Sequence, residues 1–113
     1  MDTWGMEQAG FITLVTEPDA TLAALHAHNA QTLGSEREVY AVASEDFTPK
    51  MPVDALYVDP SRLDEKGKRV YHPKDCFPNP LTELPRWLEL SQHVWIKLSP
   101  MVDPDEVLQW FPN

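Results

Sequence analysis

Short apolar, β-branched runs alternate along this chain with segments patterned at helical period, and that alternation restricts it to an α/β layer fold with a mostly parallel sheet and flanking helices. FITLVT at 11–16 lies between Gly10 and Glu17-Pro18 and reads as the first strand. From Asp19 to Leu33, the residues Leu22, Leu25, Asn29 and Leu33 fall in one narrow stripe and Gly34 follows as a stop signal, which predicts a helix. Strands follow at 38–43 and 53–58, separated by the acidic loop SEDFTPK. Pro85 is tolerated only in a first helical turn, so the next helix is expected to start near Thr82 and to carry Leu84, Leu88 and Trp87 inward. HVWIKL at 93–98 reads as a fourth strand. Asp103-Pro104-Asp105-Glu106 then combines an N-cap acid, a proline at the first helical position and a glutamate at the third, starting a last helix through Val107, Leu108 and Phe111.

The chain has 113 residues, of which 42% are apolar, with four tryptophans. That is enough for the core of one domain spanning 1–113. A formal charge of −9 argues against the chain gripping a nucleic-acid backbone alone, because displacing counterions from phosphates needs clustered Lys and Arg. Cys76 is the only cysteine, which excludes an internal disulfide and suits a reducing compartment. No apolar run reaches the roughly 18 residues of a membrane span, and no basic segment followed by an apolar one opens the chain. These features read as cytoplasmic.

VDALYVDPSR at 53–62 shows what the strands carry. An apolar run that stops at Asp-Pro delivers Asp59 to the end of a sheet, and Pro60 prevents further pairing. In open parallel sheets ligands sit outside the carboxyl ends of the strands. The residues at those ends are Glu17, Glu45 with Asp46, Asp59, and Ser99 with Pro100, so three of the four ends are acidic. An acid in the position of Glu17 can accept both hydroxyls of a ribose. It can equally be a helix-start acid favoured by the macrodipole, as can Asp19.

LVTEPDATLAALHAHNAQTLG resembles the second strand and following helix of class I S-adenosylmethionine-dependent methyltransferases, where an acid ends the strand. SEDF resembles the loop that meets the adenine, and YVDPSR the catalytic-loop motif after the fourth strand. More specifically, VDPSRLDEKGKRVYHPKDCFPNP followed by VWIKLSPMVD is similar to bacterial proteins of the THUMP-like methyltransferase family. The resemblance implies a partial Rossmann-like core and S-adenosylmethionine as cofactor. Glu17 would hold the ribose, Glu45 and Asp46 would lie near the adenine amine, and Asp59 with Pro60 would line the methyl-transfer site, with Arg62 facing the loop where substrate enters.

Such enzymes begin with a first strand and a glycine-rich loop, whereas MDTWGMEQAG resembles only the end of that loop and the helix after it. The expectation is therefore a fragment of a longer methyltransferase, acting on RNA through regions this chain does not contain. The missing strand would lie between the two halves that remain. Its loss would expose the edges of the strands at 11–16 and 53–58, to be covered by direct pairing, by a homo-oligomer or by a partner chain. The alternative is a non-catalytic remnant or interaction module that no longer binds cofactor. Whether the isolated chain is an enzyme stays open at this level.

Other residues point elsewhere less strongly. The loop Asp59-Pro60-Ser61-Arg62 lacks the aromatic that usually stacks on a flipped base, although Tyr71 could fold back to supply it. The run Asp64-Glu65-Lys66-Gly67-Lys68-Arg69 reads as a phosphate clamp or as a solvated turn. His26 and His28 point to different faces of a helix, and His72, His93 and Cys76 lack partners at metal-ligand spacing, so no metal site is expected. His72, four residues before Cys76, is the only nearby base that could activate the thiol. Lys97, a cation inside an apolar strand, must reach a carboxylate or the strand end; the family's adjacent fourth and fifth strands imply Asp59 as its partner, and the alternative is a lysine snorkelling to the surface.

Overall fold

The computed structural model describes residues 2–63 and 66–111, and they form a mixed α/β structure in two units, 1–47 and 48–113. In chain order the first unit holds α1 (Asp2–Gln8), β1 (Leu14–Thr16), α2 (Ala20–Thr32) and β2 (Glu38–Tyr40), followed by a single 3-10 turn at Ser44–Asp46. The second holds β3 (Leu56–Val58), a 3-10 turn at Pro73–Asp75, α3 (Pro80–Leu90), β4 (Val94–Ile96) and α4 (Pro104–Trp110).

In the first unit β1 and β2 run parallel, with Leu14 opposite Glu38, Val15 opposite Val39 and Thr16 opposite Tyr40. The ladder continues one bond beyond each end, Glu38 N donating to Thr13 O at 3.3 Å and Glu17 N to Tyr40 O at 3.0 Å. Parallel strands need a crossover, and α2 supplies it. Asp19 starts that helix: its Oδ1 accepts the amides of Thr21 at 2.8 Å and Leu22 at 3.0 Å, satisfying donors the first turn cannot pair internally. Gly34, at φ 67°, takes the left-handed conformation that ends it.

The leucine stripe of α2 is not its buried face. Its buried residues are Ala23 and Ala30, 5% and 3% exposed, whereas Leu22, Leu25 and Leu33 stay about half exposed at 48%, 53% and 49%. The alanine face lies about a quarter turn from the leucine stripe. Small side chains let the helix approach β2 closely, so packing follows the alanines rather than the larger apolar residues.

The second unit repeats the parallel pair, with Leu56 opposite Val94, Tyr57 opposite Trp95 and Val58 opposite Ile96. Leu56 N donates to His93 O at 2.8 Å and Lys97 N to Val58 O at 2.8 Å, extending the pair at both ends, while Val53 N donates to Leu90 O at 3.1 Å. Two strands alone are marginal in water, and α3 packs on β4 to cover the pair. Trp87, 2% exposed, is the largest buried side chain described. Burying roughly 150–250 Å2 of indole at about 25 cal/mol per Å2 contributes about 4–6 kcal/mol. Ser91, 4% exposed, lies 3.1 Å from Asp54 O and accepts the His93 amide at 3.1 Å, tying the end of α3 to both strands.

Three expectations change here. α3 starts at Pro80 with Asn79 as its N-cap, two residues before Thr82, because Pro80 suits the first helical position. Pro85 consequently lies inside the helix, past the first turn. Leu88 is 54% exposed, so the inward residue of α3 is Trp87. Ser61 bridges Phe77 and Leu63 bridges Arg69, both antiparallel, and Gly67 takes φ 77°. The clamp or turn read at 64–69 lies partly outside the described residues, and what is described has the geometry of a turn.

Candidate functional site

The residues expected at the site fall into two groups, one in each unit. In the first, Glu17 directly follows β1 at the carboxyl end of the parallel pair and is half buried. Its Oε1 accepts the Asp19 amide at 3.0 Å, so it braces the turn into α2, the role of a helix-start acid. The other oxygen of the same group is the one available to a hydroxyl. Glu45 and Asp46 sit on the single turn that follows β2, both exposed, and Ser44 Oγ donates to Glu45 Oε2 at 3.1 Å. Beside that turn the rings of Tyr40 and Phe47 pack with centroids 4.7 Å apart at 37°. The carboxyl end of β1 and β2 thus combines three carboxylates with an aromatic pair.

In the second unit Asp59 directly follows β3, and Lys97 directly follows β4. Lys97 Nζ lies 3.2 Å from Asp59 Oδ2, the pairing that the resemblance implies. Both side chains are more than 40% exposed, so the pair contributes well under about 1 kcal/mol to stability and serves to orient the carboxylate. Pro60 is buried and ends the strand. Arg62 is half buried and lies close enough to Cys76 to favour its thiolate.

That influence is outweighed. Burial and the neighbouring Asp75 push the Cys76 thiol up, and the thiol is 4% exposed with its Sγ 3.6 Å from the His72 carbonyl. His72 turns its ring the other way: Nδ1 accepts the Lys74 amide at 3.1 Å, and the ring packs on Trp110 with centroids 4.4 Å apart. His72 therefore caps a turn and is not aimed at the sulfur. Tyr71 is 48% exposed. Among the described residues no group of three or more His, Cys, Asp or Glu could hold a metal ion, and no helix is long and apolar enough to cross a membrane.

Sequence reasoning missed the strongest electrostatic feature, at the opposite end of the first sheet. Glu7 of α1 accepts hydrogen bonds from Arg37, from Thr13 Oγ1 at 2.6 Å and from Ser35 Oγ at 2.9 Å. Those bonds, the Arg37 guanidinium foremost, hold the Glu7 carboxyl down at about 2 against the opposing effect of burial. The cluster lies on a depression of about 270 Å3 lined also by Trp4, Phe11, Ile12 and Leu33. Its polar groups bind one another, which marks it as a fastener of α1 to the strands. No local spacing announces it.

Compared with protein-family models, curated proteins and solved structures, the chain matches none.

Proposed function

We propose that this chain is a Rossmann-like part of an S-adenosylmethionine-dependent methyltransferase, of a family acting on RNA. The observation that carries the reading is Glu17 at the carboxyl end of a parallel strand, with Glu45, Asp46 and the Tyr40–Phe47 pair at the same end of the neighbouring strand. These groups fit a nucleoside: Glu17 accepts from ribose hydroxyls, Asp46 and Glu45 accept from an exocyclic amine, and the rings offer a flat apolar surface to a purine. Two parallel pairs, each with an acid directly after its first strand, support the α/β part of the reading.

Bound there, the cofactor would supply an electrophilic methyl on a sulfonium. In the second unit the reading assigns Asp59, oriented by Lys97, to position the acceptor's nucleophilic atom or take its proton, with Arg62 on the substrate side.

Isothermal titration of the chain with S-adenosylhomocysteine tests the reading, beside Glu17→Ala. Micromolar binding that Glu17→Ala abolishes supports it. A folded chain with no heat of binding overturns it and leaves the interaction-module reading, which the exposed leucines of α2 favour.

A further inference from the structure

We propose that the outward face of α2, together with the depression at its carboxyl end, docks a basic amphipathic helix from a partner protein. The inference stands apart from the methyl-transfer reading. Leu22, Leu25 and Leu33 are each about half exposed along one side of α2, and Leu33 also lines the depression with Trp4, Phe11 and Ile12. Phe11 and Ile12 are themselves 48% and 84% exposed. A helix that keeps its leucines outward and packs by alanine presents an apolar stripe to a partner. From Leu22 to Leu33 the stripe runs about 17 Å, the length of three turns of a facing helix, with the exposed Asn29 as a polar position between Leu25 and Leu33, and the depression at its end offers Trp4, Phe11 and Ile12 beside the Glu7 cluster to one large apolar anchor.

Charge selects the occupant. Residues 20–35, which contain the whole helix, hold no Asp, Glu, Lys or Arg. Acids stand on both sides of that neutral stretch, Glu17 and Asp19 before it and Glu36 and Glu38 after it. Residues 1–47 carry eight Asp and Glu and one basic residue, Arg37, a formal charge of −7. Arg37 is spent on Glu7, its side chain 5% exposed. A second copy of the same surface would meet like charge, as would an anionic lipid surface or a nucleic-acid backbone. An apolar stripe framed by carboxylates fits a helix with apolar residues on one face and Lys or Arg along its borders.

The test uses the full chain and a labelled peptide of about 14 residues made of Leu and Lys in amphipathic order, followed by fluorescence anisotropy. Micromolar binding is expected, weakened about tenfold by Leu22→Gln with Leu25→Gln and similarly by raising salt to about 0.5 M. The double variant should keep the far-ultraviolet circular dichroism of the native chain, since both positions already face water. A scrambled peptide of the same composition, without an apolar face, should bind far more weakly to the unaltered chain. Equal binding of the scrambled peptide, or of the native peptide to the double variant, overturns the proposal. So does a dimer, seen by light scattering, that the double variant dissolves, because the stripe would then belong to a second copy.

Discussion

Arg37 closes on Glu7 with both edges of its guanidinium, Nε to Oε1 at 2.8 Å and Nη2 to Oε2 at 3.0 Å, across thirty positions of sequence. The pair binds α1 to the segment that leads into β2, and the hydroxyls of Thr13 and Ser35 complete it. Paired in this way, two largely buried charges satisfy each other's hydrogen-bonding capacity, whereas either one alone would be left without compensation.

Acid should therefore unfasten the first unit. A carboxyl held at about 2 in the folded chain, against 4.5 when free, contributes stability that is complete above about pH 4.5 and is lost as pH falls toward 2. Glu7→Gln should cost about 2–3 kcal/mol at neutral pH by urea denaturation, and the difference from the native chain should shrink steadily below pH 4.5. A difference that stays constant between pH 7 and pH 2.5 would refute this account.

Pro85 is a stability reserve. It lies inside α3, where it cannot donate to the carbonyl one turn earlier. Pro85→Ala should restore that bond at an exposed position and raise the urea midpoint, by about 1–3 kcal/mol in stability. Trp87, the neighbouring core residue, reports the transition by its fluorescence. A lower midpoint in the variant would mean that the proline ring packs in a way alanine cannot replace.

Cys76 should be chemically quiet in the native state. The thiol is 4% exposed, and burial and Asp75 push its titration up despite Arg62, so little thiolate forms at neutral pH. Reaction with a disulfide reagent at pH 7 should be at least about a hundredfold slower in buffer than in denaturant. Equal rates would show that the segment from 61 to 77 opens freely.

The elements and their order were readable because each rests on local physics. Asp19 and Asp103 cap helices through their own side chains, and Asp103 stands directly before a proline at the first helical position. Asp59 and Lys97 could be paired in advance only through the resemblance, whose fourth and fifth strands are neighbours, and adjacent parallel strands bring their ends together. Where two local rules competed, the outcome differs from the expectation: Pro80 and Pro85 both suit a helix start, and the Asn79 cap directly before Pro80 selects it.

The sequence by itself determined the alternation of strands and helices, the caps, and the acids that follow β1, the second strand and β3, since neighbouring residues decide these. Tertiary structure alone decided which side of α2 turns inward and that Glu7 and Arg37 meet. Burial depends on how closely two surfaces approach, and an alanine face beside a sheet outcompetes a richer leucine face that has nothing to lie against. An ion pair spanning thirty residues likewise has no local signature, because its geometry exists only once α1, the turn after α2 and both strands have been brought to one place.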